Sequence, residues 1–532
     1  MAVRPLAVLA VASALALAGC LGASAPPAGA PSIVERDPLP AGLTVLNGTG
    51  LLPALPAGFN GTLPSALQFL LGERGGEPNV GVTSKGTVFI TADDHVMRSE
   101  DGGATWKSVY EFGSVHPPQV PGVPVSTQDP IGNNDPYLWV DPITDRIFAP
   151  LMFPILTCSE HIWSDDDGKT WLEKPMGCGL PLVDHQRMAT GPPSAKGPQP
   201  IKAVYPNVVY YCYFKLVSTN CAVSYDGGLT YPIDQPIATR QDACSAQNGT
   251  PAVAKDGTVY VPMARFCPVP QVAVSEDNGQ TWEIRKAPAT AGTWGGNIDP
   301  DVTVTPDGTL YLMYEGDTTL PTLLRSKDKG KTWEGPWTMS PPEVKGAVFT
   351  VITSGDDGRL AFGYLGTASD VRDPSEAPAD TRWHAYLGWS LDANATDPTF
   401  VNLRVTPDED PVQIGCVWLK GGGNPCRNLL DFIDLHVGPE GRAYMAITDG
   451  CTKDCAGNPS ATNENSRRRD TAVIVQQAGP SLFASVGMLA PLHANLSASA
   501  PGQVVFGTPA HDPVLDGTPD ATPPARLPRE RR

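Results

Sequence analysis

An eight-residue signature, Ser-x-Asp-x-Gly-x-Thr followed by Trp or Tyr, recurs five times in this chain. The copies are SEDGGATW from Ser99, SDDDGKTW from Ser164, SYDGGLTY from Ser224, SEDNGQTW from Ser275 and SKDKGKTW from Ser326, and a decayed sixth, SLDANATDPTF, starts at Ser390. Successive copies start 65, 60, 51, 51 and 64 residues apart, which is room for four short strands with their loops. Such a repeat predicts one closed array of similar units rather than several unrelated domains.

Each copy is expected to build a tight turn between two strands. The aspartate carboxylate accepts hydrogen bonds from backbone N–H groups of the turn, and the glycine two residues later adopts a left-handed conformation at little cost. The final aromatic residue begins the next strand and buries its ring between sheets. The five aspartates are Asp101, Asp166, Asp226, Asp277 and Asp328. Because every turn needs this residue, the aspartates are interpreted as scaffold, and an active site is expected elsewhere.

These copies resemble the Asp boxes, or BNR repeats, of the sialidase superfamily and of other Asp-box β-propellers. The resemblance runs from about Glu77 to Phe400 and implies an all-β fold consisting of a single propeller. Counting the strand–turn–strand pattern itself gives seven units, which start near residues 77, 135, 184, 249, 299, 348 and 430. This count favours seven blades. The six blades of sialidases are the alternative.

The two ends of the chain differ in composition from the repeats. A basic start at Met1–Arg4, an apolar run at Leu6–Leu17 and the string LAGC ending at Cys20 resemble a lipoprotein signal. We therefore expect a signal peptide over 1–19, lipidation of Cys20, and an exported protein anchored to the surface or periplasmic face of a prokaryotic cell. An ordinary secretory signal is the alternative.

Residues 20–66, rich in Ala, Pro and Gly, predict a flexible tether in which a strand such as Leu43–Leu46 docks on the propeller. Residues 67–479 are assigned to the propeller. Residues 480–532, again low in complexity, are predicted to be a disordered or loosely packed tail.

Apart from Cys20, the chain has ten cysteines, and an even number in an exported protein favours disulfides over metal thiolates. Zinc is the alternative, but no spacing resembles a paired CxxC site. Local pairing would join Cys158 with Cys178, Cys212 with Cys221, Cys244 with Cys267, Cys416 with Cys426, and Cys451 with Cys455.

The formal net charge of −18 argues against nucleic acid as a partner, because phosphates require a basic surface. The charge fits a solvated exterior or a cation-binding protein. We expect a monomer whose partner is a glycan or a surface protein, and whose contact with the membrane is the lipid anchor alone.

Acidic residues precede many of the predicted inner strands, which begin at the mouth of a propeller's central channel. Clustered carboxyl groups raise one another's pKa, as a general acid requires, or together bind a hard cation. No cofactor is expected to be required, but Ca²⁺ is a candidate ligand. The candidate catalytic residues are Glu77, Asp135, Asp184, His185 and Asp299, and the acidic ligand-binding candidates are Asp301, Asp431 and Asp434. The alternative is that each acid caps a turn or bonds to the next blade.

Three arginines accompany these acids. Arg74, Arg187 and Arg427 together suit a carboxylate or sulfate ligand. Interblade ion pairs are the alternative role for each of them.

The resemblance to sialidases does not extend to their catalytic residues. The Arg-Ile-Pro motif, aligned on Pro78, places Gly76 where an arginine of the sugar-binding triad is expected, and no tyrosine nucleophile is matched. These departures favour a surface propeller that binds a glycan, a protein or a cation without sialidase activity. An adhesin or assembly factor shares these predictions, and a divergent glycoside hydrolase with paired carboxyl groups at the channel mouth is the alternative.

Overall fold

The computed structural model describes residues 41–59, 62–92, 94–112, 135–152, 159–176, 184–215, 218–239, 247–265, 267–293, 299–421, 424–452, 455, 469–493 and 504–506. Cys20, the signal peptide, Cys158, Cys178 and Cys244 lie outside the described residues. Among the residues described, no helix is both long and apolar enough to cross a bilayer.

Three strands precede the repeats: β1 (Leu43–Asn47), β2 (Gly50–Leu51) and β3 (Ser65–Arg74). The first three repeat units form β4 (Val80–Val82), β5 (Val88–Ala92), β6 (His95–Ser99) and β7 (Lys107–Glu111); β8 (Trp139–Val140), β9 (Ile147–Met152), β10 (Ser159–Ser164) and β11 (Leu172–Met176); and β12 (Asp184–Gly191), β13 (Val208–Lys215), β14 (Ser218–Ser224) and β15 (Ile233–Thr239).

The next three units form β16 (Ala252–Val253), β17 (Val259–Met263), β18 (Gln271–Ser275) and β19 (Glu283–Lys286); β20 (Asp301–Val304), β21 (Leu310–Glu315), β22 (Pro321–Ser326) and β23 (Glu334–Thr338); and β24 (Gly346–Ser354), β25 (Leu360–Thr367), β26 (Arg382–Ser390) and β27 (Phe400–Arg404), followed by β28 (Gln413–Ile414). The last strands are β29 (Asp434–Val437), β30 (Ala443–Asp449), β31 (Asp470–Pro480), β32 (Met488–Leu489) and β33 (Val504–Phe506). Two short 3-10 helices cover Ala57–Phe59 and Pro374–Glu376.

These strands group into seven sheets, and within each four-stranded core neighbouring strands are antiparallel. The first strand of every sheet contributes to the wall of one channel of about 380 Å³. The lining includes one residue from the first strand of each sheet: Val80, Trp139, Thr190, Ala252, Thr303, Ser354 and Leu435. The all-β propeller that the sequence predicts is therefore confirmed.

The seventh sheet joins the two ends of the described chain. Its order is β29, β30, β31, β3 and then β33, so an N-terminal strand supplies the fourth position of the last sheet, between β31 and β33. The sequence does not predict this exchange, because Ser65–Arg74 carries no box and no turn signal linking it to residue 470. Pairing the ends closes the ring through backbone hydrogen bonds rather than through side-chain packing alone.

The five box aspartates hold their turns as predicted. In the first copy, Asp101 accepts hydrogen bonds from the backbone N–H of Thr105 (2.9 Å) and from the hydroxyl groups of Thr105 (2.7 Å) and Ser99 (2.8 Å). The Thr-to-Asp pair of bonds repeats in the other four copies. Trp106 is 3% exposed and packs with Val473 and Val475 of the seventh sheet, so its ring joins neighbouring sheets.

Both predicted low-complexity ends contain ordered structure within the described residues. The docking strand predicted at Leu43–Leu46 is present as β1, which pairs with β27. Past the predicted boundary at 480, β32 pairs with β31 and Leu482 is fully buried. The Ala-rich composition hid the few apolar side chains of this segment that pack against the propeller.

Three of the predicted disulfides are present: Cys212–Cys221, Cys416–Cys426 and Cys451–Cys455. Cys267 is also disulfide-bonded. These bonds fit an oxidising, extracellular environment.

Candidate functional site

Acidic and basic side chains from five sheets meet where the inner strands begin. His185, at the start of β12, lies at their centre, and its Nδ1 is 3.2 Å from Oδ1 of Asp299. Its Nε2 lies 3.7 Å from Oδ2 of Asp431 on the opposite side of the ring. The His185 side chain is only 3% exposed. We call the set Glu77, Asp135, Asp184, His185, Arg187, Asp299, Arg427 and Asp431 the mouth cluster.

The histidine is charged in this setting. Burial alone would lower the pKa of His185, but Asp299 and Asp184 raise it well above the usual value. Conversely, burial would raise the pKa of Asp299 and Asp431. For Asp299, the charges of Arg187 and His185 outweigh burial and lower its pKa. For Asp431, His185 and Arg427 likewise outweigh burial and lower its pKa.

A second group of acids titrates in the opposite direction. Burial, followed by the charges of Asp135 and Asp431, raises the pKa of Glu77 well above its usual value. Burial and Asp135 also raise the pKa of Asp184 to about 6, against the opposing charge of His185. Asp135 is within hydrogen-bond range of both carboxyl groups. The cluster thus combines carboxyl groups whose pKa values are raised with carboxyl groups whose pKa values are lowered.

The arginines of the cluster are held by its acids. Arg187, 2% exposed, pairs with Asp299 and stacks on Phe432, with Cζ 3.6 Å from the ring centroid. Arg427 pairs with Asp431, but its side chain is 23% exposed. Two of the three predicted ligand arginines therefore join the cluster through ion pairs. Arg74, the third, lies at the end of β3, the fourth strand of the seventh sheet, opposite Asp470.

The two remaining acidic candidates line the channel below the cluster. Asp434 accepts a hydrogen bond from the backbone N–H of Val80 (2.9 Å), and Asp301 accepts one from that of Ile352 (2.9 Å). Each bond crosses from one sheet to the next, as the structural alternative for these acids predicts. Burial raises the pKa of Asp301 to about 8 and that of Asp434 to about 6.

The backbone at the mouth is held in uncommon conformations. Glu77, Asp135 and His185 have φ values of 54°, 48° and 47°, in the left-handed region that residues other than glycine seldom adopt. At the start of the fourth sheet the chain carries Gly249, where a Cβ would lie 1.7 Å from the carbonyl oxygen of Pro300. Residues in such conformations cluster at functional sites. These backbone conformations direct the side chains of Glu77, Asp135 and His185 toward the mouth cluster.

Two charged residues at this end of the channel were not predicted. Arg265 follows β17 and donates to the carbonyl oxygen of Leu419 (3.1 Å). Glu315 ends β21, and burial raises its pKa to about 8. In both places a charge ends a run of apolar residues, which is the signal that sequence inspection could have used.

Within the part of the chain that the structure describes, no group of three or more His, Cys, Asp or Glu residues is arranged to hold a metal ion. The three cations of the mouth cluster lie against two of its acids, Asp299 and Asp431.

The chain is thus an all-β propeller with a charged cluster at one end of its channel. No protein-family model matches it, and no curated protein sequence does. Its structure is similar to an intramolecular trans-sialidase from Ruminococcus gnavus, with 14% identity over 77% of this chain and 96% of that one at a TM-score of 0.38. It is also similar to the BP39L lectin from Burkholderia pseudomallei, with 11% identity over 72% and 93% of the two chains and a TM-score of 0.41.

A GH93 α-L-arabinofuranosidase of Fusarium graminearum is a further similar structure, with 14% identity over 64% of this chain and 97% of that one at a TM-score of 0.37. At TM-scores this low, the three likenesses carry no information on what this chain binds or catalyses.

Proposed function

We propose that this chain is an exported propeller that binds a glycan at the mouth of its channel and does not cleave sialosides. The observation that carries the proposal is that carboxyl groups with raised pKa values, which retain a proton more readily, lie beside carboxyl groups with lowered pKa values in one cluster. Neutral carboxyl groups donate and accept hydrogen bonds, whereas carboxylates accept only. Sugar hydroxyl groups do both, so such a mixed set suits a polyhydroxylated ligand.

The accessible part of the cluster supports this proposal. Asp135 and Asp184 are partly exposed, and the Arg427 side chain is 23% exposed, whereas Glu77 and His185 are buried beneath them. A ligand would therefore meet two carboxyl groups and one guanidinium group, with the buried members fixing their orientation.

The internal pairing of the arginines argues against sialidase chemistry. A sialidase grips the carboxylate of its substrate with arginines that face the ligand. Here Arg187 is 2% exposed and engaged by Asp299, and Arg427 is engaged by Asp431. Releasing either guanidinium for an external carboxylate would leave a buried acid without its partner.

A glycan array probed with the full-length chain tests the proposal. Asp184→Asn is expected to reduce binding at least tenfold, because the amide cannot be ionised or give up a proton. Glu283→Gln is the matched control, since Glu283 is 64% exposed and its partner Arg285 lies outside the cluster. Binding that both variants retain, or no binding of the wild-type chain to any glycan, would contradict the proposal.

A divergent glycoside hydrolase is the second candidate, favoured by one observation. Asp184 has a pKa of about 6, while the pKa values of Asp299 and Asp431 are lowered. An acid and a carboxylate with separated pKa values are the two groups that glycosidic cleavage uses. Turnover of a fluorogenic glycoside panel by the wild-type chain and Glu283→Gln, but not by Asp184→Asn, would establish this activity. Binding without turnover on the same sugars would exclude it for them.

A further inference from the structure

A second cavity lies outside the channel, between the fifth and sixth sheets. It is an open groove of about 980 Å³, at the upper end of the range for ligand pockets. We call it the outer groove. Its lining includes Asn47, Thr49, Trp337, Ser340, Lys345 and Arg372.

One wall of the outer groove is built by the N-terminal hairpin. β1 pairs with β27, the outermost repeat strand of the sixth sheet, and β2 extends that edge by one more strand. The backbone N–H of Gly48 donates to Oδ1 of Asp397 (2.8 Å), which fixes the hairpin tip. The wall is thus an addition to the propeller rather than part of the repeat.

The opposite wall carries an aromatic ring. Trp337 lies on β23, opposite Leu323, and an irregularity in the pairing between Leu323 and Arg325 bends this edge strand. The guanidinium Cζ of Arg325 lies 5.1 Å from the centroid of the Trp337 ring system. The ring is therefore held in place from within the propeller while it lines the groove, as a stacking platform requires.

Polar groups surround this ring. The Ser340 side chain is 3% exposed, lines the groove, and its hydroxyl has no hydrogen-bond partner among the described residues. A buried hydroxyl without a partner costs free energy, so an occupant able to bond to it gains affinity. Thr49 and Lys345 are exposed at the rim. The groove thus offers one flat apolar surface with hydroxyl and ammonium donors around it.

We propose that the outer groove is a second carbohydrate-binding site, which takes an oligosaccharide with one sugar ring against Trp337 and a hydroxyl group bonded to Ser340. The apolar faces and equatorial hydroxyl groups of the sugar rings in an oligosaccharide match this arrangement of Trp337 and Ser340. The open groove also accommodates a chain longer than one sugar. The site is independent of the mouth cluster, since the two share no residue.

The test uses an array of neutral and uronic-acid oligosaccharides probed with the full-length chain. Trp337→Ala is expected to weaken binding of groove ligands at least tenfold, because the ring supplies the stacking surface. Ser340→Ala is expected to weaken it by roughly three- to tenfold, the effect of losing one hydrogen bond. Trp337→Phe, which keeps an aromatic ring against Arg325, is expected to fall between wild type and Trp337→Ala.

Two control variants distinguish an effect on binding in the outer groove from an effect on folding and from an effect at the mouth cluster. Leu172→Ala removes an exposed apolar side chain on another sheet and should leave binding unchanged. Asp184→Asn should also leave groove ligands bound, whatever its effect at the mouth. Because Trp337→Ala removes packing as well as stacking, its thermal midpoint is measured alongside, and Ser340→Ala gives the same answer without that loss. No oligosaccharide bound by the wild type, or full binding by both groove variants, would overturn the proposal.

Discussion

Replacing Asp299 with asparagine is expected to destabilise the propeller far more than an exposed charge removal does. The side chain keeps its size and one acceptor oxygen, so the change isolates the negative charge. Two cations depend on that charge: Arg187, 2% exposed, and His185, 3% exposed. Leaving a buried cation without its partner costs about 3–5 kcal/mol.

The expected loss in free energy of unfolding for Asp299→Asn is therefore about 3–5 kcal/mol. Glu283→Gln provides the comparison, because Glu283 is 64% exposed and exposed pairs contribute about 0–1 kcal/mol. Urea-induced unfolding at pH 7, followed by tryptophan fluorescence, measures both values in the same buffer. Equal and small losses for the two variants would refute the reasoning, since they would mean that Arg187 and His185 do not rely on Asp299.

Three further outcomes are expected. Asp101→Ala should lower the free energy of unfolding by about 1–3 kcal/mol, as expected for unsatisfied turn donors, without removing glycan binding; a variant of full stability that no longer binds would contradict the scaffold role. Between pH 5 and 9 the native state should lose stability, because the pKa values of Asp301 and Glu315 are raised to about 8 while unfolded carboxyl groups titrate near 4; urea midpoints that rise over this interval would contradict the assigned pKa directions. Replacing Cys212 and Cys221 together by serine should cost about 2–3 kcal/mol, from a disulfide that closes a short loop; thermal unfolding with the wild-type midpoint would contradict it.

The sign of the pH effect follows from protons bound. A carboxyl group with a raised native pKa binds more protons in the folded state, so its contribution is complete below pH 4 and is lost as pH rises through the native pKa. His185, whose pKa is raised, acts in the same direction above pH 6.5. Four box aspartates, Asp101, Asp166, Asp277 and Asp328, have lowered pKa values, so they contribute stability above pH 4 and remain ionised throughout the interval.

The repeats determine most of the local structure of this protein. Each box encodes its own turn, because Asp101 and its counterparts bond within five residues of themselves. Local hydrogen bonding needs no knowledge of distant residues, so a pattern of residues predicts it.

Contacts between residues far apart in the sequence could not be predicted in this way. No pattern pairs β3 with β31, whose residues are separated by about four hundred positions, since strand partners are chosen by packing over the whole ring. The same limit applies to the mouth cluster. The sequence predicts which acids point inward, but the lowered pKa of Asp299 and the raised pKa of Asp184 depend on the burial and the charged neighbours of each residue, which only the folded structure shows.

Two segments contain ordered strands although their composition predicts flexible chain, and the cause is simple. Segment 43–51 is predicted to belong to a tether and segment 481–489 to a tail, because alanine, proline and glycine dominate the sequence around them. A handful of apolar side chains, such as Val45 and Leu482 at 1% and 0% exposed, suffices to attach them. Averages over a window conceal such anchors.

The proposed glycan site of the mouth cluster depends on carboxyl groups whose pKa values are shifted in opposite directions. It can be tested by calorimetric titration of an array-selected oligosaccharide into the full-length chain and its Asp184→Asn variant. Measurable heat is expected with the wild type, an affinity at least tenfold weaker in the variant, and no change in Glu283→Gln. An unchanged affinity in Asp184→Asn, for every glycan that the wild type binds, would contradict it.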